Sequence, residues 1–282
     1  MTFDTSTAEV AVNKRFLDTS IAASAQDWDD LLRLQVDVLS EIEFDYLEEF
    51  EPWHRAESVL DAGCGNGYYL SRLRAAFPGR KYVGLDISDE LIDRARAMDI
   101  PDASLVRAGF FGFEPSDRFD IVVMRLFVQH LADIRPLLAQ GERVLAPGGG
   151  LLIIESDPRQ SPIPSELPKL AAMLRRFEMI TATGGGVRLR LLRDLDALVW
   201  EASAGRWRVS SDAVVFGRTT LAESKLMRIF RLWTDLCERQ KIFPYDFEGV
   251  RRELEAAGKV PDLVCEIAMR MIYLQPTATS AA

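Results

Sequence analysis

The chain of 282 residues is 48% apolar, carries a formal net charge of −9 and contains three cysteines. This composition supports a full core in one large domain, or in a domain with a substantial insertion. It supplies neither a basic surplus for phosphates nor the cysteine spacing of disulfide frameworks and zinc sites, so we expect no nucleic-acid partner and no metal. The N-terminus has no basic-then-apolar leader, and no apolar run has the length of a membrane span. We therefore expect a cytoplasmic protein that does not contact a membrane.

An N-terminal helix is predicted over residues 28–50, where leucine, valine and isoleucine side chains form a broad apolar stripe with acids between them. A stripe of this width indicates that one face of the helix is buried. Pro52 ends the helix just before the first predicted strand.

A glycine-rich turn follows that strand. Residues 59–67 are Val-Leu-Asp-Ala-Gly-Cys-Gly-Asn-Gly, and a helix is predicted from Tyr68 to Phe77. Such a strand-to-helix turn brings bare backbone N–H groups against a ligand, with no Cβ in the way. Tyr68 stands where the dinucleotide fingerprint G-x-G-x-x-G needs its third glycine. The turn alone fits either a nucleotide-like ligand or a tight turn without a ligand.

Further strands alternate with helices after this turn. Residues 81–86 form a predicted strand that ends in Asp86, about 20 residues after the loop, where a doubly wound sheet places an acid beside the ribose. Ser88 is the predicted N-cap of the next helix, and Pro147 with three glycines ends a later one. Three more strands are predicted over 104–107, 120–124 and 151–155. The alternation predicts an α/β fold with a parallel, doubly wound sheet that binds ligands at the carboxyl ends of its strands.

Over residues 57–157 the chain closely resembles the class I S-adenosylmethionine (SAM) dependent methyltransferases. The resemblance rests on residues 59–67, 81–86, 119–124 and 143–155 in this order. It implies a Rossmann-like seven-stranded sheet with N-terminal helices and a helical lid inserted in the C-terminal half. The implied division is an N-terminal helical extension over 1–56, a SAM-binding core over 57–157, and a lid or substrate-binding region with the last strands over 158–282.

The family's motifs also imply the cofactor site, with SAM as the cofactor and S-adenosylhomocysteine as the product. The residues matched to cofactor binding are Asp61, Gly63, Gly65, Asn66, Gly67, Asp86, Ile87, Gly109, Phe110, Arg125 and Leu126. In the family an aspartate commonly follows the glycine that corresponds to Gly109, and it accepts from the adenine amine. This chain has Phe110 there, so we expect the ring to pack on or beside the adenine.

The segment after the fourth strand resembles the loop that lines the methionine half of SAM and faces the substrate. Gln129 and His130 in this loop are the candidate catalytic residues, although a histidine at a helix start also serves plain structural roles. The candidate substrate contacts are Tyr46, Trp53, Arg190, Arg193 and Trp207. Core packing is the alternative for each aromatic residue, and a solvated or ion-paired position is the alternative for each arginine.

The C-terminal half carries no further motif. Helices are predicted over 170–177, 187–204, 221–240 and 246–257, and strands over 207–216 and 264–274. In the family's plan these two strands form an antiparallel hairpin at the sheet edge. We expect residues 167–257 to act as a lid that orders when ligands bind, with Gly184–Gly186 as its hinge.

Methyl transfer from a sulfonium needs positioning and water exclusion more than a strong base. The sequence therefore predicts a methyltransferase that acts on a small-molecule acceptor, with natural-product biosynthesis as its setting because the lid is divergent. The alternatives are an enzyme that cyclises SAM, a non-catalytic SAM-binding protein and, last, a dehydrogenase. Neither the acceptor atom nor the oligomeric state follows from the sequence, and a homodimer is one option.

Overall fold

One sheet of seven strands forms the centre of the fold in the described part of the chain. The computed structural model describes residues 25–131, 133–182, 192–222, 224–239 and 241–277. The strands are β1 (Ser58–Ala62), β2 (Lys81–Asp86), β3 (Ala103–Arg107), β4 (Phe119–Arg125), β5 (Leu145–Ser156), β6 (Trp207–Thr220) and β7 (Val264–Pro276). The helices are α1 (Ala25–Glu49), α2 (Glu51–Arg55), α3 (Tyr68–Ala76), α4 (Asp89–Ala97), α5 (Arg135–Val144), α6 (Pro168–Ala182), α7 (Leu195–Ser203), α8 (Lys225–Arg239) and α9 (Phe247–Ala257), with a 3₁₀ turn at Val128–His130.

The strands lie in the order β3-β2-β1-β4-β5-β7-β6. Strands β1 to β5 run parallel, and β7 pairs antiparallel with both β5 and β6. The predicted doubly wound sheet and its edge hairpin are therefore confirmed. We call the end of the sheet where the parallel strands finish the carboxyl edge, and the opposite end the amino edge. The residues that finish these strands are Ala62, Asp86, Arg107, Arg125 and Ser156.

Apolar side chains cover both faces of the sheet, which explains why the strands are continuous apolar runs. On one face, α5 and α7 bury a cluster that includes Leu60 and Val122. On the other face, α1, α2 and α3 cover a cluster that includes Val59 and Val123. A third cluster joins the start of α1 to α6, α8 and α9, so the helices of the predicted lid share a core of their own.

Local sequence signals explain several element boundaries. Ser88 caps α4 as predicted, because its hydroxyl oxygen accepts a hydrogen bond from the Leu91 N–H. The start of β5 differs from the prediction, since α5 ends at Val144 and the strand begins directly at Leu145. Pro147 and the glycines after it belong to an irregular first part of β5, where the register against β4 shifts.

Part of the predicted lid lies outside the described residues. Gly184–Gly186 and Arg190 fall there, so the hinge and the role of this arginine stay predictions. The helix predicted over 187–204 is described only from residue 192, with α7 as its second half, and the other C-terminal elements agree with the prediction to within a few residues at most boundaries. No helix in the described ranges combines the length and the apolar character that crossing a membrane requires.

Candidate active site

The loop between β1 and α3 has a backbone that glycine adopts most easily. Gly63, Gly65 and Gly67 have φ angles of 80°, 55° and 72°. The space beside all three is also filled, since a Cβ at Gly67 would lie 2.7 Å from Ala95 Cβ. A Cβ at Gly63 would lie 2.7 Å from Phe127 Cδ2, and a Cβ at Gly65 would lie 2.9 Å from Leu32 Cδ1. Conformation and close packing together require glycine in this loop.

The N–H groups of the glycine loop bond within the protein, contrary to the expectation that they face a ligand. Gly63 N and Cys64 N both donate to the Leu85 carbonyl, at 2.7 and 2.9 Å. Gly65 N donates to Asp86 Oδ2 at 2.9 Å. A phosphate cradle needs such groups to be open. The expectation of bare N–H groups was therefore wrong for Gly63, Cys64 and Gly65, and the loop suits a ligand that approaches closely without a phosphate.

Asp86 closes β2 at the carboxyl edge. Its Oδ2 accepts the Gly65 N–H and its Oδ1 accepts the Ser88 N–H, both at 2.9 Å. Burial raises the pKa of the Asp86 carboxyl, and these N–H groups oppose the shift. A carboxylate has about four lone-pair sites. Asp86 can therefore accept from two further donors, such as the hydroxyls of a ribose.

Asp61 is the buried acid beneath the loop. It is 2% exposed, and its Oδ2 has no hydrogen-bond partner among the described residues. Burial raises the pKa of Asp61 to about 7, against the opposing effect of Arg125 and with added repulsion from Asp86 and Glu43. A buried carboxylate oxygen without a partner costs free energy. The arrangement suits a ligand that brings a cationic donor to this point.

Arg125, a predicted cofactor contact, directs its guanidinium towards α1 instead. Its Nε lies 3.0 and 2.9 Å from the two carboxylate oxygens of Glu43, and its Nη2 donates to the Gln35 carbonyl at 3.2 Å. The side chains of this ion pair are 6% and 0% exposed, so the expected contact with the cofactor is corrected to a buried pair. Sequence reasoning missed Glu43, although an acid between Leu39 and Leu47 in the apolar stripe of α1 is itself a signal.

The first half of α1 lies over the glycine loop. Asn66 Nδ2 donates to Asp29 Oδ1 at 2.8 Å, and the Tyr68 hydroxyl donates to Asp37 Oδ1 at the same distance. Leu32 packs on the loop between these bonds. The side-chain amide of Asn66, a predicted cofactor contact, thus bonds the loop to the helix α1 that covers it. These contacts place the first half of α1 as a cover over the loop.

Three of the predicted cofactor contacts, Ile87, Gly109 and Phe110, divide into two groups. Ile87 is 60% exposed, and no described atom lies within 4 Å of a Cβ placed at Gly109, so both leave room for a ligand. Phe110 is 4% exposed and packs edge-to-face on Phe111 and Phe127, with ring centroids 5.7 and 6.2 Å apart. Its ring belongs to the core under this edge, which corrects the expectation that it packs on or beside the adenine. Phe127, which sequence reasoning did not single out, borders the loop instead.

The turn after β4 carries the candidate catalytic residues. Leu126 has a φ of 52°, and its N–H donates to the Ile154 carbonyl at 2.7 Å. Gln129 Nε2 donates to the Leu126 carbonyl at 2.7 Å, while its backbone N–H donates to Glu155 Oε1 at 3.3 Å. His130 is half-buried at the end of the 3₁₀ turn. The side-chain amide of Gln129 braces the turn, and the catalytic roles of both residues stay predictions.

Three aromatic residues predicted to bind substrate lie away from the carboxyl edge. Trp53 is 0% exposed in α2, which leads into the amino edge at the start of β1. Trp207 is 1% exposed at the start of β6, and its Nε1 donates to Glu142 Oε1 at 3.1 Å. The Tyr46 hydroxyl bonds Ser211 Oγ at 3.1 Å between α1 and β6. These predictions were wrong, because the sequence did not show which part of the sheet each ring would reach.

Replacing Trp207 by phenylalanine is expected to lower the free energy of unfolding by about 1–2 kcal/mol. The loss comes from the hydrogen bond to Glu142 and from packing against Gly141. Substrate KM and cofactor Kd should not change, because the ring lies at the amino edge. Denaturant unfolding and steady-state kinetics measure the two effects. A raised KM with unchanged stability would restore the substrate-binding role.

Of the two arginines predicted to bind substrate, Arg193 is within the described residues. It is exposed and follows Leu192, whose carbonyl accepts a hydrogen bond from Arg270 Nη1 at 2.6 Å. Arg270 pairs in register with Glu155 near the end of β5, so Arg193 stands at the carboxyl edge. Arg208, the second residue of β6, lies at the amino edge.

Comparison with known proteins gives a consistent result. Residues 37–205 match a family model described as a methyltransferase domain. Trans-aconitate 2-methyltransferase of Paracidovorax citrulli is 30% identical over 143 residues, which are 50% of this chain and 54% of that protein. Malonyl-[acyl-carrier protein] O-methyltransferase of Yersinia pestis is 28% identical over 141 residues, half of each chain. The chain thus spans about half the length of the curated relatives it matches.

Among solved structures, one named StiE O-MT superposes with a TM-score of 0.50 at 13% identity. The match covers 86% of this chain and 75% of that one. At such low identity the similarity concerns the fold alone. It supports the α/β fold described above.

Proposed function

Since the chain belongs to the methyltransferase-domain family, we propose that it transfers a methyl group from SAM to a small-molecule acceptor. The observation that carries this proposal is a glycine loop with internally bonded N–H groups, flanked by Asp61 and Asp86. SAM has no phosphate, and it offers an ammonium group and ribose hydroxyls to these two acids. This combination favours SAM over a dinucleotide.

In the proposed complex Asp86 accepts from the ribose hydroxyls and Asp61 pairs with the ammonium group of the amino-acid end. The exposed side chain of Ile87 and the open side of Gly109 accommodate the adenine. The glycine loop permits close approach of the amino-acid end, and α1 with Leu32 covers it against water.

The bound cofactor supplies a methyl group on a sulfonium, which is already activated for in-line displacement. The chain then has to hold the acceptor in line and keep water out. The turn after β4 stands at the carboxyl edge and faces the acceptor in this proposal. Gln129 stiffens the turn through its bond to Leu126, and the His130 imidazole is the group in the turn that can take up a proton.

We further propose that the acceptor is a small acid methylated through its carboxylate. Two curated relatives are named for acid substrates, trans-aconitate and a malonyl group. A carboxylate is already ionised at neutral pH and needs no strong base. Arg193 at the carboxyl edge can bind a second carboxylate of such an acid bidentately. Natural-product biosynthesis stays the proposed setting.

Replacing Arg193 by alanine is expected to raise the KM of an acid acceptor roughly tenfold, because a charge-assisted contact is lost at an exposed site. The Kd of SAM should stay unchanged. Arg208→Ala is the matched control, since it removes the same charge at the amino edge. Equal KM values in the two variants would remove Arg193 from the substrate site.

Transfer of a deuterated methyl group from labelled SAM tests the proposed activity directly. The purified protein is incubated with labelled SAM and a panel of small acids, and the products are analysed by mass spectrometry. The proposal requires the label to appear on an acceptor together with S-adenosylhomocysteine. Cyclised SAM without transferred label would support the cyclising alternative, and unconsumed bound SAM would support a binding protein.

A further inference from the structure

A buried arginine stands close to Asp61 but is bonded to a different acid. Asp61 pairs in register with Val123, so Arg125 lies two residues further along the neighbouring strand on the same face of the sheet. A guanidinium in this position would ordinarily bind the carboxylate. Instead its Nε contacts both carboxylate oxygens of Glu43, at 3.0 and 2.9 Å. Asp61 Oδ2 meanwhile has no hydrogen-bond partner in the described part of the chain.

Two further contacts fix the guanidinium in this orientation. Its Nη2 donates to the Gln35 carbonyl at 3.2 Å, and its carbon lies 4.7 Å from the centroid of the Tyr69 ring. The Glu43 side chain is fully buried and that of Arg125 is nearly so. Buried pairs of this kind keep their geometry only while both partners are present, because removal of one leaves an uncompensated charge.

The charges in this buried group do not balance. When ionised, Glu43 and Asp61 contribute two negative charges against the single positive charge of Arg125. The titratable and charged groups around Asp61 are Glu43 on α1, Cys64 in the loop, Tyr69 on α3, Asp86 at the end of β2 and Arg125 at the end of β4. A cation supplied by a ligand would restore the balance at Asp61.

We infer that Glu43 is a positioning residue for the cofactor: it holds Arg125 away from Asp61 and so leaves that carboxylate to the ammonium group of SAM. Glu43 itself does not touch the ligand. The inference rests on the proposed function and extends it to α1, which lies outside the core predicted over 57–157. On this inference, Glu43 determines that the site binds a ligand with a cationic end, although it lies 82 residues from Arg125 in the sequence.

Glu43→Gln tests the inference, because it releases the guanidinium to bind Asp61. Calorimetry compares S-adenosylhomocysteine with 5′-methylthioadenosine, which keeps the adenine and ribose but lacks the amino-acid end. We expect S-adenosylhomocysteine binding to weaken roughly tenfold or more, while 5′-methylthioadenosine stays within about twofold of wild type. Glu41→Gln makes the same change at an exposed position of α1 and should alter neither affinity.

A pH profile and a rescue variant separate positioning from a structural role. Wild-type affinity for S-adenosylhomocysteine should rise between about pH 6 and about pH 7.5, whereas Glu43→Gln should give a flat profile. The double variant Glu43→Gln/Arg125→Met removes the released guanidinium and should recover most of the lost affinity. It also replaces the buried pair by neutral groups of similar size. If the single variant does not fold, the affinity of the double variant for S-adenosylhomocysteine is therefore compared with that of wild type.

Two outcomes overturn the inference: an equal loss of both ligands in Glu43→Gln, or a double variant that folds without recovering affinity. A wild-type protein that binds neither ligand contradicts the proposed function instead. A wild type that binds both ligands, with selective loss and recovery for S-adenosylhomocysteine, supports the positioning role.

Discussion

Replacing Asp86 by alanine should weaken the binding of S-adenosylhomocysteine by roughly 2–4 kcal/mol, because each hydrogen bond to a charged acceptor contributes about 1.5–3 kcal/mol. Two ribose hydroxyls lose their acceptor in this variant. Gly65 N also loses its acceptor, so the loop itself relaxes. Isothermal titration calorimetry at pH 7.5 measures the change.

Asp93→Ala is the control for this experiment, because it removes an equal charge from an exposed position on the neighbouring helix α4. Long-range electrostatic effects should be alike in the two variants, so their difference isolates the local contact. The loss at Asp86 should be the same for 5′-methylthioadenosine, which retains the ribose. Unchanged affinity in Asp86→Ala would remove Asp86 from the ribose site.

Affinity for S-adenosylhomocysteine should depend on pH through Asp61. The pKa of this carboxyl in the ligand-free protein is about 7, and the ammonium group pairs with the ionised form only. Below pH 7 the association constant should therefore fall about tenfold for each unit, since one proton must leave on binding, and above pH 7 it should level off. Asp61→Asn should abolish this dependence and bind no better than wild type at low pH.

The same carboxyl also affects the stability of the ligand-free fold. Its pKa rises from 3.8 to about 7 on folding, so the folded protein holds the proton more tightly than the unfolded chain. The free energy of unfolding should therefore decrease as pH rises through this window and then stay constant. Denaturant unfolding of wild type and Asp61→Asn measures the contribution. A wild-type profile equal to that of the variant would mean that Asp61 is not the titrating group.

The sequence was sufficient to predict the sheet and the acids at its carboxyl edge. Buried parallel strands are continuous apolar runs, so the sequence shows where each strand ends. A polar or charged residue at the end of such a run is therefore expected at the carboxyl edge. Asp86 was found in this way, and Asp61 through the resemblance to the methyltransferase motifs. Ser88 was found because a helix cap is a local signal that needs no tertiary information.

Predictions that depended on tertiary contacts were less successful. Trp53 and Trp207 are of a residue type that often contacts substrates. Only the topology shows that both are buried near the amino edge. The partner of Arg125 lies 82 residues away on α1, so no spacing rule could indicate it. The N–H groups of the glycine loop were expected to face a ligand, because nothing in the local sequence shows that Gly63 and Cys64 donate to the Leu85 carbonyl on the neighbouring strand β2.

Calorimetric titration of the purified protein with S-adenosylhomocysteine and, separately, with NAD tests the central claim most directly. The structure offers acids for an ammonium group and a ribose. The N–H groups of Gly63, Cys64 and Gly65 already bond within the described residues, so these three are not open donors for a pyrophosphate. We predict saturable binding of S-adenosylhomocysteine with one site per chain and no saturable binding of NAD. Comparable binding of NAD, or no binding of S-adenosylhomocysteine, would contradict the account.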